Sequence, residues 1–456
     1  MYAMNIAVIL AGGIGSRLGY GIPKQFYKVA GKTVIEHTVD VFEASPLIDR
    51  IAIVIHESYV ARMEELVLKN GWRKVEKILK GGRERYESSL AAIKAYSDFP
   101  TYKLIFHDAV RPLVSQRIIR EVVLALDSYH AVDVAVPATD TIIQTDALCQ
   151  YIQSIPERRF LQRGQTPQGF TVEVIAQAYA LALQDPHFVS TDDCGTVIKY
   201  LPQEPVFVVR GEESNMKLTY KEDLYLLDKL FQLRSSELHE IVDYNALRDK
   251  TVVVFGGNSG IGAEVVKLAA HYGARAFSFS RSTTGTDIAH EQEVRNALQQ
   301  VFQQTKRIDY VVNAAAILSK EPLLSMDKGL IDTMVQTNFT GMVNVALESH
   351  TYLKQSHGQL LLYTSSSYTR GRAFYSIYSS LKAAAVNFMQ ALAQEWDVDG
   401  IRINVVNPER TRTPMRIKNF GIEPEGTLLE PERVAEETLK TLLADFTGQV
   451  IDVKNV

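Results

Sequence analysis

Tyr378 and Lys382 stand four apart in YSSLK, and Ser365 lies thirteen residues before the tyrosine, in the run Ser365-Ser366-Ser367. On a helix, positions i and i+4 share a face. The Lys382 ammonium is therefore expected near the Tyr378 phenol, where it favours the phenolate and eases proton transfer near neutral pH. A serine hydroxyl can hold a carbonyl oxygen while a tyrosine gives that oxygen a proton; Ser366 takes the role if the loop is one residue shorter. Upstream, the spacing Gly256-x3-Gly260-x-Gly262 in FGGNSGIG follows the apolar run Thr251–Val254 and precedes a helical pattern. That is the context a dinucleotide loop requires, and it makes Gly256, Asn258, Ser259, Gly260, Ile261 and Gly262 candidate cofactor-binding residues. The next strand should end at Ser280-Arg281-Ser282. An acid there commonly meets the 2′-hydroxyl of the NAD ribose, whereas Arg281 suits a 2′-phosphate, so NADPH is the expected cofactor.

A second constellation occupies the first half. The apolar run Ile6–Leu10 leads into LAGGIGSRLGYGIPK, with Gly12, Gly13 and Gly15 ahead of Arg17 and Lys24. Backbone N–H groups in such a loop form an anion site. Two fixed cations beside it suit a triphosphate whose charge grows on departing pyrophosphate. Gly81-Gly82-Arg83-Glu84-Arg85 with Ser88-Ser89 offers backbone groups and a hydroxyl that could read a pyrimidine edge. His107-Asp108-Ala-Val-Arg111-Pro112 should end a strand, where open α/β sheets place ligands. Asp108 is a candidate Mg2+ ligand, since that ion prefers carboxylate plus phosphate oxygens. Pro137–Thr141, then Arg158 with Gln165-Thr166-Pro167-Gln168, and finally Asn215-Met-Lys217-Leu-Thr219 complete the set. Each motif alone is weak, and their order and spacing together carry the reading.

These residues need parallel strands to hold them. Apolar runs at Ile51–Ile55, Leu104–Phe106, Ala131–Pro137 and Val206–Val209 alternate with helical patterns at Val34–Ala44, Arg62–Lys69, Glu87–Ala95 and Gln116–Ser128. After a closing helix, Asp223–Leu233, the polar stretch 234–248 reads as a linker. Strands at Arg275–Ser280, Tyr310–Asn313, Gln359–Tyr363, Arg402–Val406 and Val450–Val453 follow the second glycine loop. The alternation predicts α/β domains with parallel sheets covered by helices, over 1–233 and 249–456. At 456 residues the chain has room for two. A formal charge of −4 argues against a nucleic-acid partner. Two cysteines, Cys149 and Cys194, cannot build a disulfide framework. No apolar run reaches membrane-spanning length, and the N-terminus lacks a basic leader. A cytoplasmic protein with no membrane partner is expected.

The first set resembles the pyrimidine-nucleotide sugar-phosphate cytidylyltransferases, which act on methylerythritol phosphate or ribitol 5-phosphate, across residues 1–232. The resemblance implies a nucleotidyltransferase-type, Rossmann-like mixed sheet. It implies that CTP and an alditol phosphate give a CDP-alditol and pyrophosphate. By it, Gly12, Gly13, Arg17 and Lys24 hold the triphosphate, Gly82 and Ser88 contact cytosine, and Asp108 sits by ribose and metal. Thr141, Arg158 and Thr166 face the acceptor phosphate, and Lys217 completes the phosphate cage. Two positions depart from the methylerythritol enzymes: Arg83 replaces a residue that is often acidic, and Ser214 replaces an Asp near the metal.

The second half resembles the short-chain dehydrogenase/reductases, over about residues 249–456, and implies a doubly wound parallel Rossmann sheet. By that match Asn313 lies under the adenine ribose, Asn338 supports a proton relay, and Thr413 touches the nicotinamide carboxamide. Phe255, Ala315 and Glu409 depart from the common pattern without removing the Ser–Tyr–Lys set. The pair of halves resembles the bifunctional ribulose-5-phosphate reductase/ribitol-5-phosphate cytidylyltransferases of capsule and teichoic-type polymer synthesis. That resemblance implies pentulose and pentitol phosphates as substrates, and both parent families imply a homodimer or higher oligomer. Two rivals stand beside it: a methylerythritol-phosphate enzyme with an unrelated reductase, and a cytidylyltransferase with an NADP-sensing, subunit-docking module.

Overall fold

The computed structural model describes residues 3–13, 22–190, 192–234, 242–424 and 426–455. The chain divides into two compact units, Met1–Leu227 and Asp228–Val456.

The first unit is built on seven strands: β1 (Asn5–Ala11), β2 (Arg50–Ile55), β3 (Val75–Lys80), β4 (Lys103–Asp108), β5 (Ala131–Pro137), β6 (Gln162–Thr171) and β7 (Val206–Arg210). They lie in the order β7-β5-β6-β4-β1-β2-β3. The central strand β1, NIAVILA, is buried on both faces, as its continuous apolar run requires. Burying each Ile or Val there contributes about 1.5–3 kcal/mol. From β1 the chain passes to β2 on one side, and β4 enters on the other. This reversal opens a crevice at the strands' C-terminal ends, where Leu10 pairs in register with Asp108.

One strand departs from the alternation pattern. β6 runs antiparallel to both β4 and β5, with a register shift between Gln165 and Gly169. The sheet is therefore mixed, as the cytidylyltransferase resemblance implies. The polar sequence QRGQTPQGFT, with its Gly and Pro, carries no strand periodicity, so pairing with two apolar neighbours decides its conformation. β3 was also outside the predicted strands. The helix expected over Gln116–Ser128 ends at Ala125, and that expected over Asp223–Leu233 spans Glu222–Arg234.

The second unit has six strands, all parallel: β8 (Thr251–Phe255), β9 (Arg275–Phe279), β10 (Tyr310–Asn313), β11 (Gln359–Tyr363), β12 (Arg402–Pro408) and β13 (Val450–Val453), ordered β9-β8-β10-β11-β12-β13. This is the expected doubly wound sheet. Its switch point lies between β8 and β10, where Phe255 pairs with Asn313. The helix Ser376–Glu395 packs on the sheet through Ala385, Val386 and Met389 and carries Tyr378 and Lys382 in its first turns. Of the predicted linker 234–248, residues 235–241 lie outside the described residues, and Tyr244–Leu247 forms a 3-10 turn. Among the described residues no helix is long and apolar enough to cross a membrane.

Candidate active sites

In the first unit, β4 ends on Asp108, which lies at the centre of a cluster of cations. Its carboxylate meets Lys217 Nζ at 2.9 Å, Arg111 Nε at 3.4 Å and Arg85 Nε at 4.0 Å. Burial alone would raise the Asp108 carboxyl, but the Lys217 ammonium, with Arg85 and Arg111, overrides it and holds it well below the usual range. Arg85 is itself fixed by buried Asp193, Nη1 to Oδ2 at 2.6 Å, and Tyr179 donates to the other Asp193 oxygen at 2.7 Å. Lys217, 41% exposed, presents its ammonium at the edge of the cluster.

The segment carrying Lys217 is bound to the sheet. Leu218 N donates to Val110 O at 2.9 Å, and the buried Asn215 amide donates to Thr166 O at 2.8 Å. Lys24, just after Pro23, donates to Leu218 O at 2.9 Å, so the opening loop and the Lys217 segment meet. Gln25 secures the loop's start through Ala11 O and Gly13 O. Gly12, Gly81 and buried Ser88 pack together: a Cβ on Gly12 would lie 2.7 Å from Ser88 Oγ. Gly12, Gly13, Lys24, Ser88, Asp108 and Lys217 thus lie near the C-terminal ends of β1 and β4, while Gly82 packs against Glu87. Arg17 lies outside the described residues.

The three residues expected to face the acceptor phosphate, Thr166, Thr141 and Arg158, have different surroundings. Thr166 is buried, and its hydroxyl accepts Asp108 N–H at 3.1 Å. His107 Nε2 faces Arg111 O at 3.0 Å, and a carbonyl can only accept, so Nδ1 must accept from the Thr166 hydroxyl at 3.0 Å. Burial pushes His107 down to about 4, which keeps it neutral in that arrangement. Thr166 therefore helps position the Asp108 backbone. Thr141 and Arg158 are exposed; Arg158 donates to Thr139 O at 3.2 Å, and among the described residues no contact joins either to the Asp108 cluster. The Arg85–Asp193 pair is a contact the sequence motifs do not predict. The arginine was visible in the Gly-Gly-Arg-Glu-Arg motif, but its carboxylate partner 108 residues on gave no local signal.

Mg2+ is the test of Asp108 as a ligand. Its oxygens already face Lys217 and Arg111, and among the described residues no three His, Cys, Asp or Glu side chains gather as a metal site. Among the described residues these side chains do not make a protein-held magnesium site.

In the second unit a cavity of about 450 Å3 runs from the glycine loop to the start of the helix Ser376–Glu395. Gly256 has φ +80°, and a Cβ there would lie 2.6 Å from Ala315 N. A Cβ on Gly262 would lie 2.3 Å from Gly256 O. Only glycines permit this close turn into the helix Gly260–His271, and Asn258, Ser259, Gly260 and Ile261 line the cavity. Asn313 Oδ1 accepts from Ala315 N at 3.2 Å, and Thr413 caps the helix Pro414–Phe420 while lining the same space. The cradle fits a nicotinamide dinucleotide. Arg281 lines its edge, 3.7 Å from Asp287, while Asn258 donates to Ser282 at 2.6 Å.

Ser365 and Tyr378 line the cavity together, and the Ser365 hydroxyl acts to lower the phenol's pKa, while Ser366 accepts from Arg372 at 3.1 Å. Lys382 donates to Tyr363 O at 2.9 Å, with its ammonium 5.6 Å from the Tyr378 ring centre. Asn338 sits in a π-turn, Gln336–Thr340, a local widening common at functional sites. It bonds both backbone groups of Ile317 at 2.7 Å.

The titration differs from expectation. Burial pushes Tyr378 up to about 12, against the lowering by Ser365, so it is a neutral phenol rather than a phenolate. Burial also brings Lys382 down to about 8. A protonated phenol is the form that can give a proton to a carbonyl. With Lys382 charged below about pH 8 and neutral above, the electrostatic help to Tyr378 fades as pH rises. The kcat/KM for ketose reduction is therefore expected to be level below about pH 8 and to fall above it, in a pH–rate profile that cytidylyl transfer does not share; a profile level to pH 10 would contradict this.

Two catalytic architectures thus share one chain: a cytidylyltransferase in the first unit and a short-chain dehydrogenase/reductase in the second. Residues 5–232 match the family described as IspD, 2-C-methyl-D-erythritol 4-phosphate cytidylyltransferase, and residues 279–421 match the short chain dehydrogenase family. The chain is 48% identical, over 98% of its own length and 95% of the relative's, to the bifunctional ribulose 5-phosphate reductase/CDP-ribitol pyrophosphorylase Bcs1 of Haemophilus influenzae. It belongs to that bifunctional family. Over half its length it is also 45% identical to the 2-C-methyl-D-erythritol 4-phosphate cytidylyltransferase of Thermobifida fusca (92% of that protein). Against the ribitol-5-phosphate cytidylyltransferase of Lactiplantibacillus plantarum it is 33% identical, over 51% of this chain and all of that protein.

Proposed function

We propose that this enzyme makes CDP-ribitol in two steps: NADPH-dependent reduction of D-ribulose 5-phosphate to D-ribitol 5-phosphate, then cytidylyl transfer from CTP. Ser365, Tyr378 and Lys382, lining one cavity with the glycine-loop cradle, carry the reductase reading. They also weigh against a merely sensing C-terminal module. The full-length match to a bifunctional relative supports joining the steps. We take 1–233 and 249–456 as the two catalytic domains.

In the first step the glycine-loop cradle would hold NADPH, which when bound would supply hydride to the carbonyl carbon. Ser365 holds the carbonyl oxygen and Tyr378 gives it the phenolic proton, leaving an alcohol. Lys382 supports that transfer, and Asn338 holds the Ile317 backbone beside it. In the second step a phosphate oxygen of ribitol 5-phosphate attacks the α-phosphorus of CTP, and the bond to pyrophosphate breaks. Lys217 and Lys24, with Arg17 by resemblance, face the charge that develops, so catalysis is positioning and charge stabilisation. Gly82 and Ser88 are assigned to cytosine, and Thr141 and Arg158 to the acceptor. Mg2+ enters this reading as a companion of the CTP phosphates.

Arg281 at the end of β9 supports NADPH over NADH. Arg281→Ala is expected to lower kcat/KM for NADPH roughly 10- to 100-fold, with NADH use little changed, because a charge-assisted phosphate contact is lost. Equal loss with both cofactors would remove Arg281 from the 2′-phosphate. The rival methylerythritol reading is separated by substrate: pyrophosphate release from CTP should occur with ribitol 5-phosphate and not with methylerythritol 4-phosphate. We place the enzyme in the cytoplasm, as a homodimer or higher oligomer, feeding a capsule or teichoic-type polymer.

A further inference from the structure

We propose that Arg372 and Arg410, beside Arg416, form a subsite for the substrate's phosphate, so that the reductase half selects a phosphorylated ketose over the free sugar. The proposal rests on the carbonyl-reductase reading of the same cavity. Beyond Tyr378 that cavity continues to Arg372, Tyr375, Arg410, Arg416 and Phe420. Tyr375 is the hub: its phenol feels the charges of Arg416, Arg372, Glu423 and Arg410, and its ring stacks on Phe420 at 5.8 Å.

The three arginines are not equivalent. Arg416 is committed, paired twice with Glu423 at 2.7 and 2.9 Å, its guanidinium 4.0 Å above the Phe420 ring. Arg372 makes only a neutral hydrogen bond, Nη2 to Ser366 Oγ at 3.1 Å. Among the described residues neither Arg372 nor Arg410 has an ion-pair partner within 4.0 Å. Glu409 lines the same cavity, and its carboxylate accepts Asn455 N–H at 3.1 Å. Two guanidiniums without a close ion-pair partner, Arg410 being only within reach of the Glu423 charge, face one concave space and are matched by a dianion, which each can grip in a forked geometry. Their placement fits the chemistry. Ser366 adjoins Ser365, and Tyr375 lies one helical turn before Tyr378. The charge pair therefore flanks the carbonyl site, where a ketose bearing a phosphate on a short polyol chain would present its second group.

The test uses the full chain carrying Tyr378→Phe with NADPH bound, so that sugar binding is read from cofactor fluorescence without turnover. Added to that background, Arg372→Ala or Arg410→Ala is expected to weaken D-ribulose 5-phosphate binding roughly 10- to 100-fold. Binding of D-ribulose, which also reports an intact fold, should not change. Arg372→Lys should recover part of the loss, and inorganic phosphate should compete with ribulose 5-phosphate only when both arginines are present. An equal loss for both sugars, or no loss, overturns the subsite. A loss of NADPH affinity in either Ala variant assigns the arginines to the cofactor's own phosphates and overturns it as well. If the parent chain turns over no ketose while phosphate binding remains arginine-dependent, the reductase reading fails and the subsite stands.

Discussion

Tyr378→Phe is expected to lower NADPH oxidation with ribulose 5-phosphate by roughly 10^2–10^4-fold, the range that a positioned general acid contributes. The substitution removes one hydroxyl. The ring that lines the cavity stays, and so does the helix Ser376–Glu395 that carries it. Ser365 keeps its place through Ser367, whose N–H and hydroxyl lie 3.4 and 3.3 Å from Ser365 Oγ. NADPH binding should survive, and pyrophosphate release from CTP in the same preparation should continue at the parental rate. An activity loss shared by both reactions would point to misfolding. Retention of reduction would mean that another group supplies the proton.

Lys217→Ala should lower cytidylyl transfer by roughly 10^2–10^3-fold, the cost of removing one preorganised donor from a developing charge, with reduction unaffected. The ammonium lies 2.9 Å from Asp108 and is the most exposed cation of the cluster, while Arg111 and Arg85 are more deeply set. Its loss removes the charge best placed to meet an incoming polyphosphate. Lys217→Arg keeps the charge but changes its shape, and should recover part of the rate. If Lys217→Ala changes only the KM for CTP and not kcat, the lysine binds substrate and transition state equally and the proposed stabilisation is wrong.

What the sequence made legible was local. The glycine loop Gly256–Gly262 sits between a strand and a helix, and Tyr378 and Lys382 lie in the first turns of one helix, where residue type and separation decide the geometry. Contacts made across the fold were not legible. β6 is polar and broken by Gly and Pro, so its antiparallel place between β4 and β5 follows from its neighbours. The same strand brings Thr166 to Asp108 and His107, a contact no local motif announces. Asp193 reaches Arg85 across 108 positions with no motif to announce it. The direction of the Tyr378 titration was not legible either: i,i+4 spacing brings Lys382 within 5.6 Å of the ring centre, but burial of the phenol raises its pKa.

The most direct test of the account is one reaction containing ribulose 5-phosphate, NADPH and CTP with the purified full chain. The prediction is stoichiometric NADP+, pyrophosphate and CDP-ribitol. Omitting NADPH should abolish pyrophosphate release, and adding ribitol 5-phosphate should restore it without NADPH. Pyrophosphate release from CTP and ribulose 5-phosphate with no NADPH, or NADPH oxidation whose product the first unit does not couple to CMP, would contradict the joined sequence.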